Sequence, residues 1–239
     1  VAPSIDLLAQ AALETLRISV PTIFQAATGR LTSAICDQRL DSWSRALVKQ
    51  AGITIDVHGR ERIVPGEAYV VMSNHQSHYD IPVLFQALKL PLRMVAKKEI
   101  FQIPFMSGAM RAAGFIEVDR SNRKTAMQNL SSARTSLDAA VSIWIAPEGT
   151  RSKTGRLGSF KKGGFHLAMA SGLRILPVSI DGTRFVLPTG GVHVTRGVTA
   201  QVTVGDPVDT SSYSRDRIRD LVADVRTAIE KYLPEALRA

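Results

Sequence analysis

The sequence predicts a mixed α/β fold: a largely parallel central sheet flanked by helices, with a helical membrane-interface element at the N-terminus. Three observations lead there. From residue 53 onward, short apolar runs alternate with longer stretches of helical periodicity, the pattern of βαβ units. Several of those runs are apolar at odd and even positions alike, as strands covered on both faces are. Before residue 50 there is no strand pattern, only two amphipathic helical segments.

The first segment, residues 4–28, places Ile5, Leu8, Ala12, Leu16 and Ile23 near one helical face. Pro21 is expected to end or kink it, because proline removes a backbone N–H and its ring meets the carbonyl four residues back. The second, residues 31–48, sets Leu31, Ile35, Leu40, Trp43 and Leu47 against Arg30, Arg39, Arg45 and Lys49. Neither reaches the ~18 charge-free apolar residues that span a bilayer. A basic flank with a tryptophan suits a helix pair lying in a membrane interface. A helical hairpin packed on the main domain fits the pattern equally. Residue 1 is Val1, and nothing reads as a signal peptide. The division is residues 1–50 as a helical membrane-association element and 51–239 as the α/β domain.

Strands follow at 53–57, 69–72, 92–96, 115–118, 142–146 and 175–180, then at 192–195 and 200–204. Helical patterns occupy 82–88, 104–113, 124–140, 164–171 and 214–232. No repeat or low-complexity linker divides this region.

With 239 residues, 45% of them hydrophobic, the chain can bury a sizeable core. Its one cysteine, Cys36, excludes a disulfide framework or a cysteine zinc site and fits a reducing compartment. A net charge of +9 calls for a polyanionic partner: nucleic acid, an anionic membrane or a phosphorylated substrate. With 6% aromatics and no recognisable nucleic-acid motif, nucleic acid is not expected.

The segment Asn74-His-Gln-Ser-His-Tyr-Asp80 leaves one strand and enters a helix. Strand ends of α/β sheets collect reactive groups. On one continuous helix a spacing of five would hold His75 and Asp80 about 140° apart. They can meet only if His75 lies in the turn and Asp80 in the first helical turn. Ser77 and Asp80 have capping-box spacing, and Pro82 is tolerated there. Joined so, the carboxylate would fix the imidazole tautomer and leave the other nitrogen as a general base. Otherwise Asp80 caps the helix and His75 is a turn residue. His78 is the decoy.

Pro147-Glu-Gly-Thr-Arg151 leaves another strand. Arg151 suits bidentate phosphate binding and Glu148 suits a polyol. Backbone N–H groups near Gly149 are candidates for an oxyanion site. Phe160-Lys-Lys-Gly-Gly164 opens a helix with Lys161 and Lys162, an arrangement that attracts anions; a solvated basic loop reads the same way. Residues 115–120 deliver Arg120 at a strand end. Residues 175–180 are either a core strand or the wall of an apolar groove, with Pro177 removing one ladder bond.

Taken in order, the blocks 74–80, 115–120, 147–151 and 175–180 resemble the four motifs of the glycerolipid acyltransferase family, over roughly residues 57–205 and including Lys97. Asn-His-Gln-Ser in the first block together with Glu-Gly-Thr-Arg in the third resembles the lysophosphatidate branch. The resemblance implies His75 as base and Asp80 as its orienting partner. It implies Arg120, Glu148, Gly149, Thr150 and Arg151 around a glycerol phosphate, with Lys97 nearby. Lys161 and Lys162 would face the phosphates of acceptor or carrier. The implied reaction moves an acyl group directly from acyl-CoA or acyl carrier protein, as co-substrate, to the free hydroxyl of lysophosphatidic acid. It needs no metal or cofactor. The implied location is the cytoplasmic face of the cell inner membrane, peripheral or monotopic. Other readings are another lysolipid or acyl-amine acceptor, an acyl-enzyme on Ser73 or Ser77 outside any Gly-x-Ser-x-Gly elbow, and a non-enzymatic basic membrane-binding protein.

Overall fold

The structure, a computed structural model, describes residues 6–119 and 140–238. Seven strands form one sheet: β1 (Thr54–His58), β2 (Val70–Ser73), β3 (Leu92–Lys97), β4 (Ile116–Val118), β5 (Ser142–Ile145), β6 (Ile175–Asp181) and β7 (Thr199–Val204). Their order is β1-β7-β6-β2-β5-β3-β4. Every pairing is parallel except β6 with β7. The mixed, largely parallel sheet is therefore as expected. Central β2 and β5 are buried at every position, which is why they read as unbroken apolar runs. Near the edge, β7 alternates, burying Ala200, Val202 and Val204.

Successive side chains point to opposite faces of a strand, and the sheet divides two apolar layers accordingly. Tyr69 and Val71 join one layer with Leu7 of α1 (Asp6–Ala27), Leu40 and Leu47 of α2 (Ser33–Gln50), and Val83 and Leu84 of α3 (Asp80–Leu88). Val70 and Met72 join the other with Phe165 and Leu167 of a later helix, Gly163–Ser171, and Leu221 and Val225 of the C-terminal helix, Ile218–Glu230. Between β3 and β4 stands α4 (Met106–Ala112), packed on α1. Gly108 allows that approach, since a Cβ there would lie 3.3 Å from Ile23 Cδ1. The helices Gly163–Ser171, Thr183–Val186 and Ile218–Glu230 are α5, α6 and α7.

Arg93 of β3 is almost fully buried and ties three elements together. Its Nη1 donates to Asp37 Oδ1 of α2 at 2.7 Å, and its Nε donates to the Ala113 carbonyl after α4.

Several expectations need correction. Helix α1 runs through Pro21 to Ala27. The half beyond the proline is held from outside: Arg39 of α2 donates to Thr22 Oγ1 (2.9 Å) and Gln25 Oε1 (2.7 Å). Trp43 faces inward rather than toward a membrane, donating to Thr15 Oγ1 at 3.1 Å. The face predicted for α1 splits, Leu8 and Ile23 turning inward and Leu16 outward. Residues 192–195 form no strand, only a single bridge position at Val194. The helix predicted at 124–140 lies, but for its last residue, outside the described residues. No helix among the described residues is long and apolar enough to cross a membrane.

Candidate active site

Where β2 ends, the chain makes a turn that polar bonds fix at every step. Asn74 Nδ2 donates to the Ile180 carbonyl at 2.7 Å, and Ile180 N–H donates back to Asn74 Oδ1 at 2.8 Å, fastening the turn to β6. His75 follows, and Asp80 begins α3. Their side chains meet: His75 Nδ1 lies 2.7 Å from Asp80 Oδ2. A carboxylate accepts, so Nδ1 carries the proton and Nε2 is left with a lone pair.

Asp80 is fully buried, yet both its oxygens are satisfied. Oδ2 also accepts from Gln76 N–H (2.7 Å) and Ser77 N–H (3.0 Å), and Oδ1 accepts from Thr183 Oγ1 of α6. Ser77 does not complete the capping box. Its Oγ donates to the Leu187 carbonyl at 2.8 Å and accepts from Tyr79 N–H at 3.2 Å. The His75 ring is 15% exposed and meets Trp144 edge-on, with centroids 5.4 Å apart. Trp144 Nε1 in turn donates to Ser73 Oγ at 2.9 Å.

Glu148 is buried beneath the same turn and does not line the cavity. Its Oε1 accepts from His75 N–H (2.9 Å) and its Oε2 from Gly158 N–H (2.8 Å). Burial pushes its carboxyl above the ordinary range, and those two backbone bonds oppose the rise. In place of the polyol contact expected from the sequence, this carboxylate braces the backbone of His75.

In front of His75 opens a cavity of about 1260 Å³. Its walls are apolar faces of α1, α2, α3 and α4, including Leu8, Trp43, Phe85 and Met110. Lys97, Gly149, Thr150, Arg151, Lys161 and Lys162 line it as well. The structure thus brings His75 and six of the residues expected at a substrate site to one hollow, with Asp80 directly behind. Arg120 lies outside the described residues. Among the described residues, Lys97, Arg151, Lys161 and Lys162 have no ion-pair partner. Gly149 has φ +74°, and a Cβ there would meet the Lys161 chain at 3.0 Å. Its N–H donates to the Ala146 carbonyl at 3.0 Å and is not available to an oxyanion. No residue of β6 lines the cavity, so 175–180 is a core strand and not a groove wall.

His78 also lines the cavity, its ring open to it. Desolvation, then the charge of Arg151, pushes it down to about 4. It is neutral near pH 7.

Sequence reasoning missed Thr183, Asn74 and Trp144 as supports. Thr183 could not have been paired with Asp80 from spacing, since 103 positions separate them.

Comparison with known proteins accords with this arrangement. Residues 54–181 match the family model described as Acyltransferase. The chain is 33% identical over 169 residues to the 1-acyl-sn-glycerol-3-phosphate acyltransferase of Salmonella typhimurium, covering 70% of this chain and 67% of that one. For the enzyme of the same name from Limnanthes douglasii the identity is 34% over 184 residues, with coverages of 77% and 64%. The crystal structure of the 1-acyl-sn-glycerophosphate (LPA) acyltransferase from Thermotoga maritima matches with a TM-score of 0.72 at 25% identity, covering 92% of this chain and 94% of that one. The chain belongs to the Acyltransferase family and is an enzyme of it.

Proposed function

We propose that this enzyme transfers an acyl group from a thioester, acyl-CoA or acyl carrier protein, to the free hydroxyl of lysophosphatidic acid, giving phosphatidic acid. The observation that carries the reading is the 2.7 Å His75–Asp80 pair at an apolar cavity whose lining includes four unpaired cations. The names of the relatives support the acceptor.

In this mechanism His75 Nε2 takes the acceptor's proton as the hydroxyl oxygen attacks the thioester carbonyl. Asp80 holds the imidazole in the required tautomer and stabilises the imidazolium that forms. The tetrahedral intermediate collapses with loss of the thiolate, which accepts the proton from His75. Thr150 and Arg151 N–H groups, which donate to no described backbone group, are the candidates for the oxyanion. Arg151, Lys161, Lys162 and Lys97 neutralise phosphate, and the acyl chain lies among the helices.

Membrane contact belongs to the same proposal. Leu13, Leu16, Val20 and Phe24 are exposed on α1 and span an arc of about 80° at 100° per residue. That stripe faces away from the buried Leu7, Ser19 and Thr22. It suits peripheral attachment to the cytoplasmic face of the cell inner membrane, and flotation with anionic liposomes checks it.

The deciding experiment is thiol release from palmitoyl-CoA with and without lysophosphatidic acid, using wild type and His75→Ala. Acceptor-dependent release should fall by about 10²–10⁴-fold in the variant with the fold intact. Full activity in folded His75→Ala would overturn the mechanism. Release with acyl carrier protein alone would identify the donor.

A further inference from the structure

Buried tyrosine hydroxyls ordinarily have a partner, and those of this protein allow a comparison. Tyr69 donates to Glu67 Oε2 at 2.7 Å and accepts from Val64 N–H at 3.0 Å. Tyr213, only half-buried, donates to Asp224 Oδ2 at 2.6 Å. Tyr79 differs. It is only 4% exposed, yet its hydroxyl makes no hydrogen bond to any described residue. Burial alone raises its phenol, with no hydrogen bond contributing. Its oxygen is not sealed in, unlike the unpartnered Gln50 Oε1, and the side chain lines the cavity.

The residue is also fixed at its backbone. Tyr79 N–H is bonded to Ser77 Oγ, and its carbonyl accepts from Val83 N–H at 3.2 Å. It stands one residue before Asp80, on the helix that supplies Val83, Leu84 and Phe85 to the same apolar layer. A hydroxyl open to an apolar-walled cavity, on the residue next to Asp80, needs an acceptor that an occupant brings with it. Methylene chains carry none, and the phosphates have the cations. The free hydroxyl is engaged by His75, which leaves an acyl carbonyl oxygen as the strongest acceptor remaining on a lipid of this class.

We propose that Tyr79 is a substrate-binding residue whose hydroxyl donates a hydrogen bond to an acyl carbonyl oxygen of the lipid in the cavity. The inference rests on the proposed reaction for its choice of ligand. Two sources share this chemistry: the ester carbonyl of the lysophosphatidic acid acceptor and the thioester carbonyl of the donor.

Tyr79→Phe removes one oxygen and nothing else. Turnover of palmitoyl-CoA is measured in wild type and variant with 1-acyl and with 1-O-alkyl lysophosphatidic acid, the second lacking the ester carbonyl. kcat/KM should fall about three- to tenfold with the 1-acyl acceptor, the range of one neutral hydrogen bond. A loss confined to the 1-acyl acceptor assigns the bond to the acceptor ester; a loss with both assigns it to the thioester. The melting temperature should hold or rise in Tyr79→Phe, because no protein partner is orphaned, while Tyr69→Phe should lower it. Affinities for palmitoyl-CoA and palmitoyl-lysophosphatidic acid are read from quenching of Trp43 and Trp144, both in the cavity wall. If wild type turns nothing over but Tyr79→Phe binds either lipid more weakly, the reaction is misassigned and the tyrosine's role stands. Equal turnover with both acceptors and equal affinity for both lipids would overturn it. So would a fall in melting temperature as large as that of Tyr69→Phe, which would reveal a protein partner.

Discussion

At the turn between β2 and α3, Asp80 accepts four hydrogen bonds, and Glu148, buried beneath it, accepts two. Along the cavity beside it, the side-chain cations of Lys97, Arg151, Lys161 and Lys162 and the Tyr79 hydroxyl have no hydrogen-bond partner among the described residues. The first region uses its polar groups on itself and so fixes one imidazole orientation before anything binds. The second leaves its polar groups for something not covalently part of the chain. Rigid pairing and unanswered charge thus mark, side by side, what orients and what binds.

The contrast can be broken most severely from the paired side. Thr183→Val keeps the shape but leaves a fully buried carboxylate oxygen of Asp80 without its side-chain donor. A loss of about 1–3 kcal/mol is expected, or several degrees in melting temperature for a chain of this size. Thr183→Ser should recover most of it, and should recover acyl transfer in parallel. Normal melting in Thr183→Val would mean Asp80 does not depend on that bond.

On the unpaired side the outcome should invert. Arg151→Ala should leave melting within about 1 °C, since surface changes away from internal partners are nearly neutral. It should raise KM for the phosphorylated acceptor about tenfold, the scale of one charge-assisted hydrogen bond. A destabilised Arg151→Ala protein would place that residue with the braced group.

The smallest effect is a pH slope at His78. Folded, it is held down to about 4; unfolded, it protonates near its ordinary value of ~6.5. Between those values the unfolded chain binds a proton that the folded chain does not, so this contribution to stability is lost as pH falls from about 6.5 toward 4. Urea titrations of His78→Gln should show a shallower acid decline over that window. An unchanged decline would mean that the ring, open to the cavity, is screened from Arg151.

What was legible in the sequence follows from how local each cause is. The strands that became β2, β5 and β6 were visible because double-sided burial writes an apolar run. His75 and Asp80 could be joined because five residues of turn suffice. Thr183 and Trp144 were hidden, since only the sheet order brings β5 and the end of β6 beside β2. Glu148 was misjudged for a related reason: its type suits a polyol, but its depth is a tertiary outcome. Pro21 and Trp43 misled because both rules describe an isolated helix, and α2 supplies Arg39 to one and receives the other. Tyr79 carried no sequence signal at all; a missing partner is visible only after every other partner has been placed.

Cys36, the one cysteine, is buried on α2 and lines the cavity. Burial raises its thiol above the ordinary value, so the sulfur is neutral and poorly nucleophilic toward reagents arriving through water. On the proposed reading, an electrophile mounted on a fatty chain would travel the route of the substrate and reach the same atom concentrated and oriented. Two alkylating agents of equal intrinsic reactivity would then be told apart by their tails, giving the protein a built-in chemical address that reports whether its lipid path is empty or filled.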